Sequence, residues 1–247
     1  MREESAPSQT IKAVLGLRGL IVDGKLPAGE RVLEQTLVDH LGVSRTPART
    51  ALARVCEEGL LDQVPGGGYV VARFSEADVF DAIAIRGNLE GMAARLAAEK
   101  GAPAATMAAL RRCVDELDAV VARLETNPDV TEYVRLNDRF HDLLLQAAQS
   151  PMLKRSLDRL VMLPFAAPNA FVSVAEADNA AVRGVLQVSQ DQHRSIVEAI
   201  ENREGTRAES ITIEHSRSAW KYLRLIFEAE KDLSRLPGLS LLARESL

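Results

Sequence analysis

Aromatic side chains are scarce in this 247-residue chain, at 4% of residues. β-Sandwiches and barrels draw on aromatic and β-branched strands, so an all-β fold is disfavoured. The abundance of Ala, Leu, Val and Arg points to helix instead. Cysteine occurs only at Cys56 and Cys113, in no Cys-x-x-Cys pair. That excludes a disulfide framework and reads as reduced thiols of a cytoplasmic protein, with Cys56 a small buried hydrophobe. No apolar run approaches the roughly 18–20 residues of a membrane span. The polar stretch Met1–Thr10 has no apolar core of a secretory signal. No internal repeat is evident. What is present is 47% apolar residues, enough for sizeable cores. At about 100–200 residues per domain, two domains are expected.

Charge is unevenly placed. Residues 1–75 carry nine basic and nine acidic side chains, so the net −5 falls on the remainder. Within the neutral part, Gly42–Cys56 holds Arg45, Arg49 and Arg54 and no acid. A local basic patch can bind phosphate on an acidic protein; the plainer reading is a solvated basic helix face.

The first 75 residues read as a winged helix-turn-helix. Ile11, Val14, Leu15 and Ile21 share one face of a helix over about Ser8–Asp23, which Gly24, Pro27 and Gly29 break. Val32, Leu33, Leu37, Val38 and Leu41 mark a second short helix that stops at Gly42. Ser44 is placed to cap a third, with Pro47 in its first turn and Ala48, Ala51, Leu52 and Val55 buried. Leu60–Val64 and Tyr69–Val71 then flank Pro65-Gly66-Gly67-Gly68 as a two-stranded wing. The third helix points backbone N–H groups at phosphates. Ser44 and Thr46 can donate hydrogen bonds, and Arg45 and Arg49 can reach base edges, where Arg suits guanine.

The run Val43-Ser44-Arg45-Thr46-Pro47-Ala48-Arg49-Thr50-Ala51-Leu52, followed by Glu58-Gly59-Leu60-Leu61, resembles the signature of the GntR family of bacterial transcription regulators. Leu26-Pro27-Ala28-Gly29-Glu30-Arg31 fits its helix-to-helix connection. The candidate DNA-contacting residues are therefore Ser44, Arg45, Thr46, Arg49 and, in the wing, Gly68. Two positions depart from the pattern: Thr50 replaces a common acid, and Gly67 a common basic wing residue.

The rest reads as an antiparallel helical bundle, so the fold class is mainly α. Six helical patterns run over about 75–100, 104–125, 130–149, 152–163, 182–202 and 206–228, separated by Gly/Pro/Asn breakers. Ser75 and Asp78 approximate a capping box. Pro164–Ala181 fits neither helix nor strand and reads as a loop or broken helix near a pocket. The domains expected are a DNA-binding domain, 1–75; an effector-binding and dimerisation domain, 76–232; and a peripheral tail, 233–247. Arg86-x-x-Leu89-Glu90, Phe140-His141, Gln149-Ser150-Pro151 and His193-Arg194-Ser195-Ile196 resemble, in order and spacing, the ligand-binding domain of the FadR (FCD) branch. The six-helix count is closer to its shorter VanR-like group.

Only four histidines occur. His40 reads as a surface residue, while His141, His193 and His215 fall on three different helices of the bundle. Nitrogen and oxygen ligands converging inside a bundle can hold a transition metal. Asn137, four before His141, and Asp138, three before it, each share a helical face with it. The FCD resemblance implies the set Asn137, His141, His193 and His215. Asp138 is the alternative, chemically better for its charge. Zinc is the default metal, with Ni²⁺ or Mn²⁺ able to use the same ligands. Arg86 is the candidate clamp for an anionic effector; the competing reading is a helix-surface pair with Glu90.

Together these readings imply a homodimeric regulator, by family habit a repressor, of a palindromic operator in double-stranded DNA. Its effector would be a small organic acid. Leu163–Phe171 is faintly similar to regulators of vanillate and related aromatic-acid degradation, implying an aromatic acid. Two other classes compete. A metal sensor would take the metal itself as signal. A metal-dependent hydrolase would use an open zinc position, but the chain has no His-Glu-x-x-His frame and residues 1–75 would go unexplained.

Overall fold

A computed structural model describes residues 8–170, 172, 180–229 and 241–242. The chain divides into two compact units, taken here one at a time.

The first unit runs to Asp78 and includes Met162–Pro164 and Leu241 of the C-terminal segment. Its elements are α1 (Gln9–Val22), β1 (Arg31–Val32), α2 (Glu34–Leu41), α3 (Arg45–Glu57), β2 (Leu61–Gln63) and β3 (Tyr69–Val71). Leu17, Ile21, Leu37, Ala48, Leu52, Val55 and Val71 meet in one core. Full burial of each large side chain contributes roughly 1.5–3 kcal/mol. Gly42 closes α2 at φ 63°, a left-handed conformation favouring glycine. Arg18 grips Glu58 through two hydrogen bonds of 2.6 and 2.5 Å, tying α1 to the end of α3.

Three expectations are corrected here. The segment at Val32 is not the start of a helix but a strand, because its backbone finds partners on β3. Arg31 pairs with Val70 and Val32 with Tyr69, giving an antiparallel sheet of order β1-β3-β2 rather than a two-stranded wing. Cys56 is half-buried, not fully enclosed. The tail expected at 233–247 lies outside the described residues except for Leu241 and Leu242. Leu241 is fully buried in this core and its carbonyl accepts from Phe74 N–H at 3.0 Å, so it is not peripheral.

The second unit holds α4 (Glu76–Lys100), α5 (Ala104–Arg123), α6 (Thr131–Ala148), α7 (Pro151–Leu160), a 3₁₀ turn at Pro164–Ala166, α8 (Ala180–Glu201), α9 (Gly205–Ser216) and α10 (Ser218–Ala229). At the start of α4, Ser75 N–H donates to Asp78 Oδ2 at 2.7 Å, while Asp78 N–H donates to Ser75 Oγ. That is the reciprocal pattern of a capping box. Helix α5 packs on α6 and α8, and α8 on α9 and α10.

The expected last helix is two helices, so among the described residues seven replace six. Arg217 N–H bonds only three residues back, to Glu214 O at 3.1 Å, and Ser216 Oγ donates to the Ile213 carbonyl. Short polar side chains that bond the backbone in this way bend helices. The stretch 164–181 begins with the 3₁₀ turn and turns to Ala170; residues 171 and 173–179 lie outside the described residues.

Candidate metal and effector site and DNA-reading face

Four helices deliver the polar cluster of the second unit. On α4 the buried positions Val79, Ala82, Ile83, Arg86, Gly87, Glu90, Gly91 and Ala94 recur at three and four residues. Arg86 and Glu90 therefore lie on the stripe that packing forces inward. The same spacing buries Asn137 and His141 on α6, and Gln190 and His193 on α8; α9 adds His215. Glycines let α9 approach α4. A Cβ on Gly87 would stand 2.7 Å from Ser216 Cβ, and one on Gly91 3.1 Å from the Glu209 carbonyl.

One ring nitrogen from each of His141, His193 and His215 lies within 4.8 Å of the other two. His193 Nδ1 faces Gln190 Oε1 at 3.0 Å, and His215 Nδ1 faces Gln192 Oε1 at 3.2 Å. Gln190 donates its amide to Val114 O and Asp118 Oδ1, which fixes its oxygen toward the histidine. Amide oxygens only accept, so each Nδ1 carries the hydrogen and each Nε2 presents a lone pair. Those two Nε2 atoms face each other at 3.1 Å. Burial, then the neighbouring His215 and His141, holds His193 well below the ordinary histidine value. Burial, then His141, lowers His215 to about 3. Both rings are thus neutral near pH 7.

Two buried lone pairs at this distance repel unless a cation lies between them. Nitrogens at roughly 2.0–2.1 Å from one zinc ion sit about 3–3.4 Å apart, so the spacing fits a metal. The outer partners fit too, since metal-bound histidines donate their other ring N–H to a carboxylate or carbonyl. His141 Nδ1 is 3.0 Å from Glu90 Oε1, off the line of a good hydrogen bond. Glu90 Oε2 accepts from Arg86 Nη1 at 2.9 Å. Burial would raise the Glu90 pKa, but His141 and Arg86 outweigh it and hold it at about 2.

Asn137 Nδ2 donates to Asn169 Oδ1, leaving Asn137 Oδ1 buried without a partner. Asp138 is differently employed: its Oδ1 accepts from Asn169 Nδ2 at 2.5 Å, and burial raises its pKa. Arg86 is 2% exposed, so its pair with Glu90 is not the surface contact considered from sequence. Among the described residues Arg86 Nε has no partner. Arg86, Asn137, His141 and His215 line a cavity of about 20 Å³, together with Ser218 and Tyr222. Sequence reading missed Glu90, Gln190, Gln192 and Asn169 as supports. The available signals were Gln190 three before His193 and a charged pair, Arg86 and Glu90, on the otherwise apolar stripe of α4.

In the first unit, Ser44, Arg45, Thr46 and Arg49 are all exposed at the start of α3. Ser44 occupies the N-cap, yet its side chain makes no capping bond, so its hydroxyl is available. Arg49 Nε bonds Glu34 Oε1 at 2.7 Å, with the Arg49 side chain 74% exposed. Arg45, Arg49, Leu52, Gly68 and Tyr69 line one surface groove of about 510 Å³. The structure therefore brings the wing candidate Gly68 onto the same groove as the helix candidates.

Comparisons with known proteins agree with both halves. Residues 10–71 match the family described as bacterial regulatory proteins, gntR family, and residues 81–218 match the FCD domain. An HTH-type transcriptional regulator from the TAR-I ttuE-ttuC' intergenic region of Agrobacterium vitis is 34% identical over 145 residues, covering 58% of this chain and 83% of its own. The HTH-type transcriptional regulator YdhC of Bacillus subtilis is 24% identical over 216 residues, 87% of this chain and 91% of its own. Among solved structures, E. coli McbR/YncC aligns with TM-score 0.60 at 19% identity, over 90% of this chain and 99% of that one. At that identity the likeness establishes the fold alone.

Proposed function

This chain belongs to the GntR family of transcription regulators and carries an FCD domain, and from that premise we propose that a small carboxylate, docking at a metal in the helical domain, modulates its binding to a palindromic operator. Its relatives are DNA-binding regulators, not enzymes. Among the described residues no helix is long and apolar enough to cross a membrane; the site of action is taken to be cytoplasmic DNA.

The observation that carries the effector reading is one cavity lined by His141, His215 and an arginine with an idle donor. Some FCD domains bind metal. Here His141, His193 and His215, with Asn137 Oδ1, would hold the ion. When bound, it would supply positive charge and an open coordination position for a carboxylate, zinc being the default and Ni²⁺ or Mn²⁺ alternatives. Arg86 would clamp the same carboxylate through charge-assisted hydrogen bonds. Glu90 keeps the guanidinium in place. The unpartnered hydroxyls of Ser218 and Tyr222 favour a hydroxylated acid over an aromatic one.

On DNA, two copies of the winged helix in a homodimer would read half-sites one helical turn, or a multiple of it, apart. Arg45 and Arg49 would reach base edges while Ser44, Thr46 and the backbone at Gly68 hold phosphates. Repression is the proposed sign. Coupling is reciprocal: an effector that weakens operator binding is weakened by operator to the same degree.

A second reading, the metal itself as signal, is favoured by cavity size. About 20 Å³ admits a water or an ion, so an organic acid needs the site to open. One experiment addresses both. Genomic fragments are selected on the full protein at near-physiological salt, with an Arg45→Ala/Arg49→Ala variant as control. Recovery of a palindromic site by the wild type alone supports the regulator reading; equal recovery by both removes the proposed DNA face. Repeating the binding after chelation, with and without candidate acids, separates metal from acid as the signal.

A further inference from the structure

The wing has no cation of its own. Between Gly59 and Ala72 the chain holds no basic residue and one acid, Asp62. Its turn places Gly66, Gly67 and Gly68 at φ 89°, 93° and 96°, conformations that side-chain-bearing residues rarely adopt. A Cβ added at Gly66 or Gly67 would meet nothing within 4 Å. The tip is therefore bare backbone facing solvent. That shape suits a minor groove roughly 6 Å wide, but it brings nothing to balance the phosphates on either side.

The neighbouring strand brings it. Arg31 lies on β1 opposite Val70 of β3, and its side chain runs along the sheet to the turn. Arg31 Nη2 donates to the Gly67 carbonyl at 3.1 Å. The same guanidinium stands 3.5 Å from where a Gly68 Cβ would be, at the edge of the groove that Arg45 and Arg49 line. Arg31 is exposed. Among the described residues no carboxylate pairs with it, whereas Arg49 is paired with Glu34. A guanidinium has five N–H donors; Gly67 takes one.

We infer that Arg31 is the cation of this wing, binding a backbone phosphate of the duplex where the glycine turn enters the groove. The hydrogen bond to Gly67 holds the charge at the turn, so an arginine from β1 serves where Gly67 replaces a basic wing residue. This rests on the DNA-binding reading above.

The test uses the full protein, a random-sequence duplex of about 30 base pairs and the duplex recovered by selection, each titrated over a range of salt. Arg31→Gln keeps a donor for the Gly67 carbonyl and removes the charge. It should weaken binding to both duplexes by the same factor and flatten the plot of log K against log salt by about 0.9 per bound protomer. Arg31→Lys should restore most of the slope, and neither change should move the melting temperature, since the side chain is exposed. A slope for Arg31→Gln equal to wild type overturns the inference. So does a loss confined to the selected duplex, which would make Arg31 a base reader. Failure of wild type to bind either duplex would instead overturn the DNA-binding reading itself.

Discussion

Glu90 Oε1 stands 3.0 Å from His141 Nδ1, with both side chains about 95% buried. The other oxygen of the same carboxylate holds Arg86. One acid thus supports a proposed metal ligand and the proposed effector clamp together. Glu90→Gln keeps the shape and removes the charge. Supports of this kind typically contribute 10–100-fold in metal affinity, so competition with a chelator should show a loss of about that size. The buried Arg86 would also lose its counter-charge, and denaturant unfolding should show a loss of about 3–5 kcal/mol. Unchanged values in both assays would mean that Glu90 supports neither group.

His193 is the fully buried member of the histidine cluster. His193→Ala should lower the metal content of purified protein, measured by elemental analysis, and blunt any effector response. Binding to random-sequence DNA at low salt should persist, because that property belongs to the other unit. Full metal occupancy in the variant would discard the proposed site.

Arg49 is exposed and oriented by Glu34. If it reads a base, Arg49→Ala should cost about 1–3 kcal/mol of discrimination between the selected site and a site changed at one base pair. Equal weakening on all sequences would make it a phosphate contact.

Gly87 faces Ser216 across the α4–α9 approach. Gly87→Ala should force α9 outward and destabilise by about 1–3 kcal/mol, as overpacking does. Adding Ser216→Gly, which removes the opposing Cβ, should recover part of the loss in denaturant melts. No recovery would place the cost elsewhere.

Cys113 is buried in α5, and burial pushes its thiol up to about 11 from 9.0. Its contribution to stability is complete below pH 9 and is lost as pH rises toward 11, because the unfolded thiol ionises first. At pH 8 a thiol reagent should label half-buried Cys56 well before Cys113. Equal labelling rates would show that the helical unit opens easily.

Much was legible in the sequence because local rules acted alone. The helix-turn-helix followed from Gly42 as a stop and Ser44 as a cap. The bundle followed from three- and four-residue spacing, with Pro and Gly at the breaks. His141, His193 and His215 could be named because three rare residues fell on three helices. What failed depended on partners remote in sequence. Val32 carries a helix-like pattern, but β3 captured its backbone. The break at Arg217 reflects hydrogen bonding within one turn that apolar periodicity does not register. Leu241 reads as part of a peripheral tail until the core it fills is in view. Glu90 sits on the apolar stripe of α4, and only the convergence of α4, α6, α8 and α9 shows its carboxylate shared between Arg86 and His141. Sequence fixes which face of each helix turns inward, because burial of apolar surface is decided residue by residue. Only the tertiary structure decides which buried polar atoms meet, because that depends on how helices far apart in the chain approach and rotate against one another.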